Sequence, residues 1–484
     1  MARPSPLEIY ALLDKSNCKD CGRDTCMAFA TDLLERNVVV QDCSHLMQDP
    51  KQFKKRDKLI NIVTPPQKPV TIGIGERKCI VGGEEVLNRH QLTYYNETQI
   101  FMQIADDDPD LEEIAKYLTE VKLERMGDVL RVSGIALRCV SGDAEQFKLA
   151  AKKLTEVSDL PVMLACFNPD ILLAAAAEIK DKKPLLYAAT KDSWEKIGKF
   201  SVENDLPVAA VSNDLDELLS LSATLQKLGV SGIVLDAMTV FGPGNVALTY
   251  DNIMQLRISA IDKEDVNAGW PVMGVPAAYW SQVKTDDDKE LWEHQYQELI
   301  MGAIMESIDT NLIVLHTGKR KEDIWALLAM MTLRQSLFSD PRIYPAADPG
   351  IYEIGEPTDK SAIFVTSNYR LTKIPVEIDI KGANLDAYLL VVDSEGIGIE
   401  SAVAGGQFSA GSIAEATKEF KAFEKVNHRI LIIPGMAARL SGALEDEADC
   451  FVVVGPRDSS GIGKYMQEQW KPEEFMKIYE DLKE

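Results

Sequence analysis

The 484-residue sequence contains no apolar run of the roughly 20 residues that a membrane-spanning helix needs. Its first residues lack the basic region and the long apolar core of a secretory signal, so we expect a cytoplasmic protein. Basic residues are also scarce, because 52 lysines and arginines face 76 aspartates and glutamates, a formal net charge of −24. Such a surface repels nucleic-acid phosphates and anionic lipid, so we predict no nucleic-acid partner and no membrane partner.

Histidine is rare, with five residues that are isolated in the sequence, so no histidine-based metal site is predicted. No complete phosphate-binding loop is present either, because Tyr465 follows Gly463 and Lys464 where a Ser or Thr is required. The segment 406–411, GQFSAG, has one residue too many before Ser409 for a nucleophile elbow. These absences argue against the common hydrolase and nucleotide-binding sites.

Cysteine is concentrated at one end of the chain, since four of the eight cysteines fall within the first 43 residues: Cys18, Cys21, Cys26 and Cys43. In a reducing compartment a dense local cluster indicates metal or redox chemistry rather than disulfides. Three thiolates within nine residues can surround a polynuclear centre, and the fourth returns after a helix that Cys26 opens. This spacing favours a [4Fe–4S] cluster. A zinc site remains the alternative, although zinc modules usually present two close pairs of ligands.

The other four cysteines lie in or beside apolar segments, where a free cysteine behaves as a small buried hydrophobic residue. They are Cys79, Cys139, Cys166 and Cys450. We predict structural roles for them.

The length suffices for about three domains, and the sequence predicts boundaries at 1–60, 61–340 and 341–484. Residues 51–58, KQFKKRDK, and the proline-rich residues 64–69, TPPQKP, are predicted to form a solvated linker. Residues 339–360 carry four prolines and are predicted to form a second linker.

Between residue 70 and about residue 335, short β-branched runs alternate with helical segments, as in repeated βα units. After an opening strand or hairpin at 70–81, the predicted strands are 99–105, 129–137, 161–167, 184–190, 207–212, 232–238, 271–280 and 311–317. Eight strands with intervening helices predict a closed (β/α)8 TIM barrel.

The C-terminal region repeats the alternation of strand and helix with glycine-rich strand ends. Its predicted strands are 362–369, 387–396, 429–435 and 450–461. This pattern predicts a doubly wound α/β domain, in which a ligand binds at the carboxyl ends of the strands. The predicted fold class is therefore α/β, with a small helical Fe–S domain, a TIM barrel and a C-terminal α/β domain.

Several segments together resemble one known family. They are NCKDCGRDTCMAFATDLL with Cys43, IVGGEEVLNRHQLTYYNET at 80–98, VTSNYRLT, AYLLVVDSEG, HRILIIPGMAARLSGALE and VVVGPRDSSGI. Over essentially its whole length the chain resembles the large (gamma) subunit of the corrinoid iron-sulfur protein. That protein is the methyl carrier of the acetyl-CoA decarbonylase/synthase complex in methanogenic archaea.

The resemblance implies two cofactors. A low-potential [4Fe–4S] cluster would bind to the four N-terminal cysteines. A corrinoid (cobamide) would bind in the last domain through Thr366, Ser367, Asn368, Tyr369, Gly435, Met436, Ala437, Ala438, Leu440, Ser441 and Gly442. No Asp-x-His-x-x-Gly is present, which agrees with a base-off cobamide that receives no protein imidazole.

The resemblance also implies a function and partners. The corrinoid would move a methyl group between a methyl-tetrahydropterin of the tetrahydromethanopterin or tetrahydrosarcinapterin type and the nickel-iron centre of acetyl-CoA synthase. The cluster would reduce Co(II) to Co(I), and no side chain would be catalytic in a methyltransferase of this kind. The implied partners are a small (delta) subunit in a heterodimer, the acetyl-CoA synthase subunit, and the CO dehydrogenase complex or another low-potential reductant.

The role of the barrel is the least constrained part of this interpretation. Carboxylates at or near its strand ends would suit a pterin site: Asp106, Asp107, Asp108, Asp170 and Asp236. The resemblance instead favours a scaffold that docks a second barrel subunit. Two further hypotheses are an electron-transfer or scaffold subunit without a corrinoid, and a barrel oxidoreductase that uses the cluster.

Overall fold

A computed structural model describes residues 4–91, 94–242, 245–281, 283, 287–338 and 345–483. The described residues form two compact units. The first contains residues 4–122 and 131–338, and the second contains residues 123–130 and 345–483.

The β-strands are numbered in chain order. They are β1 Pro69–Ile72, β2 Cys79–Gly82, β3 Gln99–Ala105, β4 Lys122–Arg125, β5 Asp128–Arg131, β6 Gly134–Arg138, β7 Val162–Ala165, β8 Leu185–Ala189, β9 Val208–Val211, β10 Ile233–Asp236, β11 Val272–Gly274, β12 Leu312–Leu315, β13 Gly350–Ile354, β14 Ile363–Ser367, β15 Ala387–Val392, β16 Ile430–Ile433 and β17 Phe451–Val454.

The α-helices are numbered in the same way. They are α1 Pro6–Leu12, α2 Cys26–Leu34, α3 Ser44–Gln48, α4 Phe53–Val63, α5 Leu111–Glu120, α6 Ala144–Val157, α7 Pro169–Ile179, α8 Trp194–Asn204, α9 Leu215–Leu228, α10 Asn245–Ile261, α11 Asp288–Ser307, α12 Ile324–Phe338, α13 Arg370–Gly382, α14 Ile399–Gly405, α15 Ala410–Glu419, α16 Ser441–Ala448, α17 Ile462–Gln469 and α18 Pro472–Lys483. Short 3-10 helices include Val40–Asp42, Pro276–Ser281, Gly435–Leu440 and Ser459–Gly461.

The N-terminal helices α1 to α4 share a small apolar core. Its buried members include Ile9, Phe29, Leu33, Leu46 and Leu59. Leu59 belongs to α4, so the prediction of a solvated linker at 51–58 was wrong for the residues in this helix. Except for Lys51, the basic residues of KQFKKRDK lie on this helix, whose later residues Leu59 and Ile60 pack against the core.

Eight parallel strands close into a barrel in the order β10-β11-β12-β3-β6-β7-β8-β9, which confirms the predicted TIM barrel. Two predicted strands are divided or shortened. The predicted strand 129–137 is split between β5 and β6, and the predicted strand 271–280 ends at Gly274 before a 3-10 helix begins at Pro276. Gly134 opens β6 because a Cβ atom there would collide with the ring of Phe101 on the neighbouring strand.

The chain also forms two antiparallel hairpins that are not part of the barrel sheet. The first pairs β1 with β2, as predicted for 70–81. The second, β4 and β5, was not predicted, and its residues 123–130 belong to the second unit. Its turn places Met126 and Gly127 at φ values of 55° and 86°, which is the backbone of a tight hairpin turn.

The second unit contains a five-stranded sheet in the order β13-β15-β14-β16-β17, in which β13 is antiparallel to its neighbour. Strand β13 lies within residues 339–360, so the prediction of a linker was wrong for Gly350–Ile354. Residues 339–344 lie outside the described residues.

Helices cover both faces of this sheet. Side chains from α14, α15 and α16 pack on one face, and side chains from α13 and α17 pack on the other. This arrangement confirms the doubly wound α/β domain. Strands β14 and β16 are neighbours, but β14 continues to β15 on one side while β16 continues to β17 on the opposite side. The carboxyl ends of β14 and β16 therefore flank a topological switch point, where such sheets bind ligands.

Candidate functional site

Helix α2 begins at Cys26, as the sequence predicts. The side chain of Thr25 caps the helix by accepting a hydrogen bond from the Ala28 N–H at 3.0 Å, and the Cys26 N–H donates to Asn17 Oδ1 at 2.8 Å. Cys26 therefore lies at the N-terminus of the helix, where the helix dipole stabilises a nearby negative charge.

The loop before α2 has an unusual backbone. Lys15, Asn17, Lys19 and Gly22 all lie in the left-handed region, with φ values of 64°, 50°, 67° and 75°. Three of these four residues are not glycine, and non-glycine residues rarely adopt this conformation, so the loop that carries Cys18 is sharply turned.

The four N-terminal cysteines differ in exposure. Cys18 is exposed, whereas Cys21, Cys26 and Cys43 are half-buried and contact the apolar core of the N-terminal helices. Burial raises the pKa of the Cys43 thiol, the Leu46 N–H opposes this change, and the neighbouring Cys21 adds to it. A bound metal cation would offset the cost of placing a negatively charged thiolate in this half-buried site, because a coordinated thiol loses its proton.

Sequence reasoning missed two other side chains at this site. The Nδ1 atom of His45 lies 2.7 Å from Asp14 Oδ2, and the Sγ atom of Cys26 lies 3.9 Å from Asp14 Oδ1. His45 follows Cys43 by only two positions, which was a usable signal. No sequence pattern pointed to Asp14, because it precedes the first cysteine and lies 31 residues before His45.

The remaining cysteines are mostly enclosed. Cys79, Cys166 and Cys450 are buried and Cys139 is partly buried. Burial raises the pKa of the thiols to about 12 for Cys79, about 11 for Cys166 and about 12 for Cys450. Thiols of this kind are poor nucleophiles at neutral pH.

The carboxylates of the barrel mouth are engaged within the protein. Asp106 is buried and accepts hydrogen bonds from the Val140 N–H at 2.8 Å and from Ser141 Oγ at 2.5 Å. Asp236 is buried and accepts from the Tyr187 hydroxyl at 2.9 Å.

The other two paired carboxylates are more exposed. Asp108 accepts two hydrogen bonds from Arg320 at 3.1 and 3.2 Å, and Asp170 forms an ion pair with Lys196. Asp107 is placed beside Asp108 in the turn after β3.

A cavity of about 230 Å³ opens at the switch point of the C-terminal sheet. It is lined by the ends of β14, β16 and β17 and by the first turns of α13. Two of the predicted corrinoid residues, Thr366 and Met436, line it.

Two hydroxyls at the end of β14 lack partners. Thr366 and Ser367 are both fully buried, and neither Thr366 Oγ1 nor Ser367 Oγ has a hydrogen-bond partner among the described residues. A buried hydroxyl without a partner costs free energy, so the site is suited to a ligand that supplies polar groups. A corrinoid carries amide side chains of this kind.

Asn368 uses its amide inside the protein. Its Oδ1 accepts hydrogen bonds from the N–H groups of Ser394 and Gly396 at 2.9 and 3.0 Å, and its Nδ2 donates to Asp393 at 3.0 Å. Asn368 therefore holds the loop after β15 against the end of β14.

The other predicted corrinoid residues lie near the cavity in sequence but do not line it: Ser367, Asn368, Tyr369, Gly435, Ala437, Ala438, Leu440, Ser441 and Gly442. Gly435 allows two strand ends to approach closely, because a Cβ atom there would lie 2.9 Å from the Arg457 backbone. Sequence reasoning missed Leu371, Thr372, Arg457, Asp458 and Ser459, which do line the cavity. The rule that ligands bind at strand ends would have found the last three, since they follow β17.

Two family models match separate parts of the chain. A family model for the CO dehydrogenase/acetyl-CoA synthase delta subunit matches residues 69–466, and a family model for an Fe–S cluster matches residues 13–45. The acetyl-CoA decarbonylase/synthase complex subunit gamma of Archaeoglobus fulgidus is 37% identical over 481 residues, covering 97% of this chain and 99% of that protein. The chain belongs to this family of acetyl-CoA decarbonylase/synthase subunits. The resemblance found in the sequence is thereby confirmed at the level of the subunit family.

Another gamma subunit of the family, from Methanothermobacter thermautotrophicus, is 38% identical over 463 residues, covering 95% of this chain and 98% of that protein. The delta-subunit model begins at residue 69, after the cysteine segment, whereas the gamma subunits align with nearly the whole chain.

Solved structures resemble this chain only distantly. Dihydropteroate synthase from Thermus thermophilus is 14% identical with a TM-score of 0.36, covering 55% of this chain and all of that one. The enzyme from Xanthomonas albilineans in complex with 7,8-dihydropteroate is 12% identical with a TM-score of 0.35, covering 51% of this chain and 95% of that one. TM-scores this low carry no argument about function. Among the described residues, no helix combines the length and apolarity that crossing a membrane requires.

Proposed function

We propose that this protein is a corrinoid methyl carrier of the acetyl-CoA decarbonylase/synthase complex, corresponding to its large (gamma) subunit. A methyl group would move between a methyl-tetrahydropterin, of the tetrahydromethanopterin or tetrahydrosarcinapterin type, and the acetyl-CoA synthase nickel-iron centre. The bound cobalt would supply the nucleophile, and the [4Fe–4S] cluster would restore its reduced state. Residues 1–60, 61–340 and 341–484 would form the cluster domain, the barrel and the corrinoid-binding domain.

The observation that carries the proposal is the switch-point cavity, which is lined by Thr366, whose buried hydroxyl has no hydrogen-bond partner among the described residues. An electron-transfer subunit without a second cofactor has no need of such a cavity. The cavity lining is mainly apolar and the backbone approaches closely at Gly435 and Gly455, which suits part of a flat macrocycle with amide side chains. The hydroxyl of Thr372 and the guanidinium of Arg457 are further groups for polar contacts.

The cluster domain would bind its centre through Cys18, Cys21, Cys26 and Cys43. The spacing of the four cysteines favours a polynuclear centre over a zinc site, whose ligands usually form two close pairs. These residues would deliver electrons and would not contact the methyl group.

The barrel would act mainly as a scaffold. Four of its five candidate carboxylates are engaged by groups of this chain, which leaves them poorly suited to hold a pterin. The proposed partners are a small (delta) subunit that forms a heterodimer through its own barrel, the acetyl-CoA synthase subunit, and the CO dehydrogenase complex or another low-potential reductant.

One purified, anaerobically prepared sample would test the proposal through its iron, cobalt and zinc contents. We expect iron and cobalt, and a visible spectrum of a base-off corrinoid. A cobalt-free protein that also fails to bind added cobamide would contradict the methyl-carrier function and leave an electron-transfer or scaffold role.

A Cys26→Ala variant separates the two cofactors. We expect it to lose reductive activation while a chemically reduced corrinoid on the same variant still accepts the methyl group. Cys79→Ala is the matched control, because Cys79 is buried in β2, away from the N-terminal cysteines in sequence. Loss of both activities in Cys26→Ala would show that the cluster is structural.

A further inference from the structure

One corner of the cysteine site contains metal-binding groups beyond the four thiols. A ring nitrogen of His45, a carboxylate oxygen of Asp20 and the Sγ atom of Cys18 all lie within 4.8 Å of one another. Within the described part of the chain, no other group of three His, Cys, Asp or Glu side chains comes this close together. Imidazole nitrogen, carboxylate oxygen and thiolate sulfur are all ligands of transition metals.

Asp14 orients the imidazole of His45. His45 Nδ1 lies 2.7 Å from Asp14 Oδ2, and Asp14 is itself fixed because Ser16 donates to its Oδ1 from N at 3.0 Å and from Oγ at 2.9 Å. This contact leaves Nε2 as the available ring nitrogen, 3.9 Å from Asp20 Oδ2. A histidine that donates one ring N–H to a carboxylate and presents the other nitrogen has the usual arrangement of a metal ligand.

Asp20 is held in place as well. Ser44 Oγ donates to Asp20 Oδ2 at 3.0 Å, which links the loop that carries Cys18 to the start of α3, where His45 lies. Two separate segments of the chain are thus joined at this corner by hydrogen bonds that involve no cysteine.

The Cys18 corner is also the accessible one. Cys18 is exposed, whereas the other three N-terminal cysteines contact the apolar core, and the His45 side chain is 42% exposed. An exposed thiolate is the first to be oxidised or displaced.

From this geometry we propose that His45, oriented by Asp14 and assisted by Asp20, is a reserve ligand for the iron at the Cys18 corner. When the Cys18 thiolate is lost, His45 Nε2 binds the same iron and the centre stays assembled. This inference rests on the proposed iron–sulfur centre. In this exchange the bond from Cys18 Sγ to iron would break, the thiolate would leave and take up a proton from solvent, and His45 Nε2 would form the new bond without a change in oxidation state. Because a neutral ligand replaces an anionic one, the reduction potential of the centre would rise.

The test compares Cys18→Ala with the double variant Cys18→Ala/His45→Ala after anaerobic reconstitution with iron and sulfide. Iron and sulfide per chain, the EPR spectrum of the reduced protein and its midpoint potential are measured. We expect Cys18→Ala to keep the iron content of the wild type with a changed EPR spectrum and a higher potential. The double variant is expected to lose iron.

Cys21→Ala is the matched control, because Cys21 lies outside the Cys18–Asp20–His45 group. It is expected to lose iron as the double variant does. A Cys18→Ala/His45→Cys variant separates loss of a ligand from misfolding. If it folds, the restored thiolate at this corner should return the midpoint potential toward the wild-type value.

The proposal is overturned if the double variant retains as much iron as Cys18→Ala, or if Cys18→Ala loses as much as Cys21→Ala. A wild-type protein that takes up zinc but no iron–sulfur centre would instead contradict the proposed function. The two failures are therefore distinguishable.

Discussion

Arg36, two residues after α2, forms an ion pair with Glu85 in which Nη2 lies 2.7 Å from Oε1. Its Nη1 donates to the Gly83 carbonyl oxygen at 2.5 Å, and its guanidinium lies 3.5 Å from the centroid of the Tyr95 ring. Arg36 thus fastens the cysteine segment to Gly83, Glu85 and Tyr95 of the same unit. It is not joined to the barrel by the chain alone.

An Arg36→Met variant should loosen the cysteine segment without unfolding the barrel. Charge-assisted hydrogen bonds of a partly buried arginine contribute about 1.5 kcal/mol or more, so we expect roughly 10-fold faster amide exchange in α1 and α2. Hydrogen–deuterium exchange with mass spectrometry measures this change. Arg56→Met is the control, since Arg56 pairs with the adjacent Asp57. Equal exchange in wild type and Arg36→Met would show that the contact is incidental.

A buried charged group holds the backbone next to Glu85, at Val86 and Leu87. Arg257 and Asp309 form an ion pair with both side chains fully buried, and Arg257 Nη2 donates to the Leu87 carbonyl oxygen at 3.0 Å. Glu84 is also buried and accepts a hydrogen bond from the Tyr95 N–H at 3.1 Å.

Replacing Arg257 by Met should destabilise the first unit by about 3–5 kcal/mol, because it leaves buried carboxylates without their cation. Urea unfolding followed by tryptophan fluorescence measures the loss. Arg257→Met/Asp309→Asn removes the uncompensated charge and should recover part of the stability. A double variant no more stable than the single one would contradict this explanation.

The stability of the barrel should depend on pH through the carboxyl group of Asp236. Burial raises the pKa of this carboxyl to about 6, and the hydrogen bonds from Tyr187 and the Met238 N–H oppose the shift. The folded state therefore holds the proton more tightly than the unfolded state. As the pH rises from about 4 through about 6, the unfolded state is ionised first, and the contribution of Asp236 to folding stability is lost.

Asp236→Asn should remove this pH dependence. The free energy of unfolding of the variant minus that of wild type should grow between pH 4 and pH 6 and stay constant above pH 6. The pH-dependent part of this difference should reach about 3 kcal/mol at most. Urea unfolding at pH 4, 5, 6 and 7 gives the profile. Tyr187→Phe removes a hydrogen bond that lowers the pKa, so it should extend the loss to higher pH. A pH-independent difference between wild type and Asp236→Asn would refute the assignment.

Thr366→Val tests the switch-point cavity. The Thr366 hydroxyl has no partner in the described residues, so its removal should leave the stability of the corrinoid-free protein unchanged or slightly higher. If a corrinoid amide satisfies this hydroxyl, the affinity should fall about 5-fold, equivalent to one hydrogen bond of about 1 kcal/mol.

Spectrophotometric titration of the corrinoid-free protein with cobamide measures the affinity. Thr417→Val is the control, because the Thr417 hydroxyl is also buried but donates to the Ile413 carbonyl oxygen within α15 at 2.7 Å. Unchanged affinity in Thr366→Val would remove this hydroxyl from the proposed site.

Local patterns predicted the barrel and the doubly wound sheet, because buried parallel strands such as β8 and β15 are continuous apolar runs. The same patterns misjudged two short elements. Helix α4 begins with a strongly basic sequence, and its core contact depends on Leu59 and Ile60 near its end. Strand β13 lies in a region with many prolines, and pairing with β15 along an edge sustains it.

The sequence by itself determined the eight strands of the barrel, the spacing of the four cysteines and the alternation of strand and helix in the C-terminal domain, since these depend on local periodicity and on residue type. Tertiary structure alone decided which polar groups meet. Asp14 faces His45 across the cysteine loop, Arg36 reaches Glu85, and no described residue bonds the hydroxyl of Thr366 at the cavity. Such contacts join residues that are distant in sequence, and their energies depend on burial, which no local pattern encodes.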